Sequence, residues 1–216
     1  KLIFVSKAFS KEVFEDLGYE LPKDQYGIIH NPIDTDAFQY IVKPVAQRKK
    51  ILSIRPFASK QYANDLSVAA ILELSKKAIF ETLEFRIIGD GKLFDETLEP
   101  LRKFPNVIIE RKFVTHAEIA ALHKDYGLFL CPSRWDSQGV SRDEAMASGL
   151  VPVTSSIAAI PEFVSVDSGV LSPGETVTEL VSGIERLIEN PEFFLKLSKN
   201  ASLNVLNSRS KQIIIK

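Results

Sequence analysis

The sequence predicts an α/β fold organised as a doubly wound parallel sheet. Three observations point there. Short apolar runs such as Phe85-Arg86-Ile87-Ile88 and Leu128-Phe129-Leu130-Cys131 are nearly continuous rather than alternating, as strands buried on both faces are. They alternate with stretches of helical periodicity. The chain has 216 residues, 45% of them hydrophobic, which is enough for one sizeable core.

Taken in order, Leu2 to Val5 reads as a strand and Ser6 to Gly18 as a helix, with Phe9, Val13, Phe14 and Leu17 at helical spacing and Gly18 as its stop. Gly27 to His30 is a short apolar run, and Asn31-Pro32-Ile33-Asp34 is turn-like. Residues 39–50, with Pro44 and the cluster Arg48, Lys49 and Lys50, read as a solvated linker. From Ile51 the pattern becomes regular. Strands are expected at Ile51–Ile54, Phe85–Ile88, Val107–Ile109, Leu128–Cys131 and Val151–Thr154. Helices are expected at Leu66–Ile79, Lys92–Arg102, Ala117–Lys124, Val140–Ser148, Thr176–Glu189 and Glu192–Leu206. Thr115 and Glu118 have capping-box spacing.

Charge and composition exclude several classes. With 27 basic and 28 acidic residues the formal net charge is −1, which gives no footprint for a nucleic-acid partner. One cysteine, Cys131, allows no disulfide framework and no cysteine metal cluster. His30, His116 and His123 are scattered and read as surface or helix-face residues, so no metal site is expected. No apolar run has the length of a membrane span or the flanks of a signal peptide, which points to a cytoplasmic setting. The chain opens directly on a strand-like run, so the start of the protein is expected upstream.

In doubly wound sheets ligands bind beyond the carboxyl ends of the strands. The loops there carry the chemistry. Gly139, followed by the helix-start amides of Val140 and Ser141, forms a phosphate-type site, because unpaired N–H groups and the helix dipole favour an anion. Glu144 sits among small residues, Ala145-Met146-Ala147-Ser148-Gly149, which bring its helix close to the sheet. A half-buried carboxylate needs a partner, and a vicinal diol is a good one. Arg55 and Lys60, from one loop, could clamp a diphosphate, one as a planar fork and the other as a point charge. Gly89-Asp90-Gly91 is a tight turn with backbone room, but Phe94 breaks any G-x-G-x-x-G pattern.

In this order the motifs resemble the C-terminal domain of a GT-B-fold, retaining glycosyltransferase of family 4, the "glycosyl transferases group 1" type. The residues that carry the resemblance are Arg55, Lys60, Gly89-Asp90-Gly91, Pro132-Ser133, the spaced acidic pair Asp136 and Glu144, Ala145 to Gly149 and Pro152-Val153. It covers about Val5 to Phe193. It implies a Rossmann-like sheet and a division into residues 1–38, a remnant of the acceptor domain and the crossing; 39–206, the donor-binding domain; and 207–216, a tail. It further implies that Arg55 and Lys60 hold the diphosphate and stabilise the leaving group. Asp136 would face the donor sugar, and Glu144 would bind the ribose. The amides near Gly139, Val140 and Ser141, together with Gly89 and Gly91, would line the nucleotide. The stretch from Arg111 to Val114, including Phe113, would lie beside the base. The implied reaction is retaining transfer of a hexose from a nucleoside-diphosphate sugar to a glycan or lipid-linked acceptor. It requires neither cofactor nor metal. The acceptor would bind through the missing N-terminal domain, which would also make any peripheral membrane contact.

The sequence departs from the family pattern where Asp136 replaces the first glutamate, Ile54 and Gln61 replace glycines beside Arg55 and Lys60, and Pro32 replaces a glycine in the crossing. Two other classes stay open. One is a GT-B-like epimerase or phosphorylase, the latter needing a lysine for pyridoxal phosphate. The other is a nucleotide-binding module without turnover.

Overall fold

The computed structural model describes residues 1–215. Six strands form one all-parallel sheet: β3 (Lys50–Ile54), β4 (Glu84–Gly89), β5 (Val107–Arg111), β6 (Leu128–Leu130), β7 (Val151–Ser155) and β8 (Val170–Ser172), in the spatial order β5-β4-β3-β6-β7-β8. The winding reverses between β3 and β6. A separate parallel pair, β1 (Leu2–Phe4) and β2 (Tyr26–Ile28), is joined by α1 (Lys7–Leu17).

The apolar runs become buried strands because successive side chains go to opposite faces and both faces are covered. Ile51, Phe85, Ile87, Leu128 and Leu130 share one core with α2 (Asn64–Leu74), α3 (Phe94–Leu98) and α7 (Val177–Glu189). Their alternates Leu52, Ile88, Phe129 and Cys131 pack on the other face against Tyr126, Ala145 and Leu150, beside α4 (His116–Asp125) and α5 (Val140–Ala147). A third cluster joins Ile33 and Phe38 of the crossing to Met146 and Ala147, to Ile160 of α6 (Ile160–Phe163), and to Ala201 and Val205 of α8 (Pro191–Ser208).

Most of the expected elements form. The Thr115–Glu118 capping box is complete, with Glu118 Oε2 accepting from the Thr115 amide at 2.7 Å. Two helices are shorter than their periodicity predicts. The α2 helix stops at Leu74, where Ser75 turns its hydroxyl onto the Leu72 carbonyl at 2.8 Å. The α3 helix gives way to a 3-10 turn over Glu99–Leu101, where Pro100 supplies no amide hydrogen. Strand β8 and helix α6 were not expected; each is too short to show a period.

The stretch 39–50 is largely exposed, as a solvated linker is, but Lys43 within it is buried. Lys43 is 2% exposed, and its amine donates to the His123 carbonyl while Gln47 Nε2 donates to that of Lys124 at 2.8 Å. Two polar side chains therefore close the open carbonyl end of α4. Of the two readings given for His123, helix-face holds: it lies on α4 and is buried, with Nδ1 3.1 Å from Ser148 Oγ. Residues 207–215 fold back onto the crossing. Ile33 bridges to Ser210, the Ile33 amide donates to the Arg209 carbonyl at 2.8 Å, and α9 (Lys211–Ile214) follows.

Candidate functional site

The strand order puts the switch point between β3 and β6. A crevice opens there, where two neighbouring loops diverge. The β3 loop begins with Arg55, which is 6% exposed. Its guanidinium lies over the Tyr62 ring, 5.2 Å from the centroid, and reaches the Pro132 carbonyl of the β6 loop only at 3.4 Å. Its Nε has no hydrogen-bond partner, and Arg55 forms no ion pair among the described residues. A buried guanidinium without a carboxylate is costly, and an anionic ligand would relieve it. Lys60 follows at the start of a 3-10 turn and is exposed, beside a hollow of about 290 Å³ that Asn64 and Glu96 also line.

Facing Arg55, the β6 loop ends at Gly139, whose φ of 86° is left-handed. The first helical hydrogen bond of α5 runs from the Asp143 amide to the Gly139 carbonyl at 3.0 Å, so the amides of Val140, Ser141 and Arg142 precede it. They form the expected anion-favouring end. Asp136 is half-buried, with Oδ1 accepting from the Gln138 amide at 3.1 Å. One turn into α5, Glu144 is 7% exposed and its carboxylate accepts no hydrogen bond among the described residues; the nearest basic side chain is His116, with Nε2 at 3.8 Å. Burial pushes its carboxyl above the usual carboxylate range, while His116 pulls the other way. The site thus holds a buried cation and a buried anion, each without a matched partner.

Residues 48–190 match the sequence profile of the glycosyl transferases group 1 family. The chain belongs to that family. It is a glycosyltransferase domain of family 4 type, and its six-stranded parallel sheet matches the C-terminal half of a GT-B fold.

Solved structures agree in fold. The C-terminal domain of LpcC, a glycosyl transferase group 1 family protein from Francisella tularensis, is 19% identical with a TM-score of 0.69, over 82% of this chain and 98% of that one. TarM from S. aureus, solved with fondaparinux, α-GlcNAc-glycerol and UDP, is 18% identical with a TM-score of 0.80, over 99% of this chain and 42% of that one. HepE from Anabaena, solved with UDP and glucose, is 18% identical with a TM-score of 0.78, over 98% and 60% respectively. The chain therefore spans less than two thirds of the length of TarM or HepE. No curated protein sequence gave a significant match.

The other expected site residues of this glycosyltransferase domain divide into two groups. Gly89 and Gly91 make room for the chain itself: a Cβ on Gly89 would stand 2.0 Å from the Arg55 carbonyl oxygen, and one on Gly91 2.3 Å from the Phe57 carbonyl carbon. These glycines let the β4 turn interlock with the β3 loop. Arg111 is engaged, with Nε 2.7 Å from Asp90 and Nη1 2.6 Å from Asp95. It holds the Asp90 carboxyl below its usual range. Phe113 is 87% exposed, three residues before His116. An aromatic ring held out at that rim is free to stack on a planar ligand.

Four residues of the site escaped the sequence reading. Arg134 makes paired contacts with Asp65 at 2.8 and 2.9 Å and with Glu175 at 2.8 and 2.7 Å, and it donates to the Lys60 carbonyl at 2.8 Å. It pins the β3, β6 and β8 loops together. Gln138, 1% exposed, accepts from the Asn31 amide at 2.7 Å and donates to the Asn31 carbonyl at 3.0 Å. Arg142 lies beneath Gly139, and His116 lies beside Glu144. No local pattern marks Arg134, Gln138 or His116, because their contacts with Glu175, Asn31 and Glu144 are distant in sequence. Among the described residues no His, Cys, Asp and Glu cluster is arranged to hold a metal ion.

Proposed function

We propose that this chain is the donor-binding part of a retaining glycosyltransferase that moves a hexose from a nucleoside-diphosphate sugar to a glycan or lipid-linked acceptor. The observation that carries this reading is the pair of buried, unmatched charges at the switch point, Arg55 and Glu144. A nucleoside diphosphate supplies what each lacks: anionic oxygens for Arg55 and a ribose diol for Glu144. Lys60 and the amides of Val140 and Ser141 would share the phosphate charge, and Phe113 would cover the base. That TarM and HepE were solved with UDP supports a nucleotide in the equivalent crevice.

Charge develops on the departing diphosphate as the sugar leaves. Fixed cations and helix-start amides stabilise it without reorganising. Asp136 would hold hydroxyls of the sugar while the acceptor, brought by a partner domain, attacks from the same face. We place the reaction in the cytoplasm, with any peripheral membrane contact made outside this chain. No helix of the described residues is long and apolar enough to cross a membrane.

Calorimetric titration of the chain with UDP, GDP and ADP tests the site. Glu144→Ala and Lys60→Ala are each expected to weaken the nucleotide that binds by about tenfold, the size of one charged hydrogen bond. Unchanged affinity in both variants would sink the assignment.

A further inference from the structure

Beneath the β6 loop two buried guanidinium groups share one carboxylate. Arg142 and Arg209 are each 2% exposed, and Asp143 is 0% exposed. Arg209 Nε stands 3.0 Å from Asp143 Oδ2, and Arg142 Nη2 stands 2.9 Å from Oδ1. Both guanidinium groups lie against the Phe163 ring, at 5.5 and 5.2 Å from its centroid. Arg209 spends its terminal nitrogens on Ser208 Oγ and Asn204 Oδ1, both at 2.8 Å. Arg142 commits Nε to Asp143 at 3.2 Å, and Nη2 to Asp143 and the Gln138 carbonyl. Its Nη1 has no acceptor among the described residues.

That free nitrogen faces Gly139. A Cβ built on Gly139 would lie 2.7 Å from Arg142 Nη1 and 3.0 Å from Asp136 Oδ2. Both atoms flank one point, so they make no direct ion pair yet stand within the roughly 6 Å over which opposite charges act on one another. Asp136 Oδ1 therefore accepts from the Gln138 amide, while Oδ2 lies across the Gly139 gap from a buried group of two guanidiniums and one carboxylate.

We propose that Arg142 is a positioning residue of the donor site: anchored by Asp143, its Nη1 fixes the Asp136 carboxylate across the gap left by Gly139, aiming it at the hydroxyls of the donor sugar. The proposal rests on the donor-site reading above. It gives the shorter aspartate a defined orientation. Arginine is required because one planar fork must serve Asp143 and Asp136 together, which a lysine ammonium cannot do.

The test compares two affinities of the 216-residue chain. One is for the nucleoside diphosphate that binds among UDP, GDP and ADP, and the other is for the same nucleotide carrying glucose, mannose, galactose or N-acetylglucosamine. Their ratio is the gain contributed by the sugar. Arg142→Gln, Arg142→Lys and Asp136→Asn are each expected to cut that gain by about threefold or more, the scale of a close charge pair without a direct hydrogen bond, while leaving the bare nucleotide within about twofold. Arg142→Gln combined with Asp136→Asn is expected to do no more than either alone, because the two residues act as one unit. If Arg142→Gln does not fold, Arg142→Lys, which keeps the buried charge, carries the comparison; thermal melts check both. A sugar gain that survives in Arg142→Lys, or that falls additively in the double variant, would overturn the proposal while leaving the nucleotide site intact. Absence of any nucleotide binding by the unaltered chain would instead overturn the donor-site reading, and this proposal with it.

Discussion

Glu144 Oε1 lies 3.8 Å from Nε2 of His116, and nothing closer among the described residues balances its charge. The α5 helix buries the carboxylate and the α4 helix brings the imidazole, which is 80% exposed.

The pH dependence of this pair follows from the raised carboxyl. A carboxyl raised by burial binds its proton more tightly folded than unfolded, so its contribution to fold stability grows as pH falls through the raised value. Ribose binding needs the ionised form, so nucleotide affinity moves the opposite way. Affinity is expected to begin falling at a pH above the ordinary value of 4.5, while Glu144→Gln shows a flatter profile. Titration calorimetry from neutral pH downward reads this directly.

Lys43 gives a second pH effect of known sign. Burial pushes its amine down to about 8, against a weaker upward pull from Asp125. The unfolded chain then binds more protons between about 8 and 10.5, and stability from this group rises with pH across that window. In Lys43→Met that rise should vanish, with a net change near neutral pH of about 1 kcal/mol or less, because losing one hydrogen bond is offset by no longer burying a charge. Thermal melts of both proteins across that pH range provide the check.

Arg134 braces three loops through ion pairs whose carboxylates are more than half exposed. Solvent screening limits their worth, so Arg134→Ala is expected to lower stability by about 1 kcal/mol at low salt and less at high salt. Its larger effect should be on nucleotide affinity, since the Lys60 carbonyl loses its anchor. Urea denaturation at two salt concentrations, beside a binding measurement, separates the two.

Gly139→Ala should be the most disruptive small change. The backbone is left-handed, with φ of 86°, which costs a side-chain-bearing residue roughly 1–2 kcal/mol. The added methyl would also meet the Arg142 guanidinium at 2.7 Å. A drop in the urea midpoint together with loss of nucleotide binding is expected. Normal binding at normal stability would contradict the site geometry.

The sheet was legible in the sequence because its strands are buried on both faces and leave apolar runs that stand out, as at Leu128 to Cys131. That Arg55 stands at a strand end, and Gly139 and Glu144 at a helix start, was legible because the element boundaries there follow from the apolar runs and the glycine. The burial of Lys43 did not show in the sequence because local charge says nothing about whether the carbonyl end of a distant helix waits to be closed. Arg134 and Gln138 could not be found from spacing, since their partners Glu175 and Asn31 lie on other segments. The glycines at 89 and 91 were found as a motif, but what they admit, the Arg55 carbonyl at one and the Phe57 backbone at the other, shows only in three dimensions.

The hydrogen bonds between Gln138 and Asn31 have a consequence for anyone grafting donor preference from one relative to another. A transplant bounded at Gln39 would carry all six strands yet leave Gln138 with neither backbone partner. Trp135 would lose its contacts with Glu12 at 2.8 Å and with the Phe9 ring at 5.7 Å. The exchangeable unit is therefore discontinuous: the sheet and its loops, together with α1 and the crossing strip that walls the Asp136 loop.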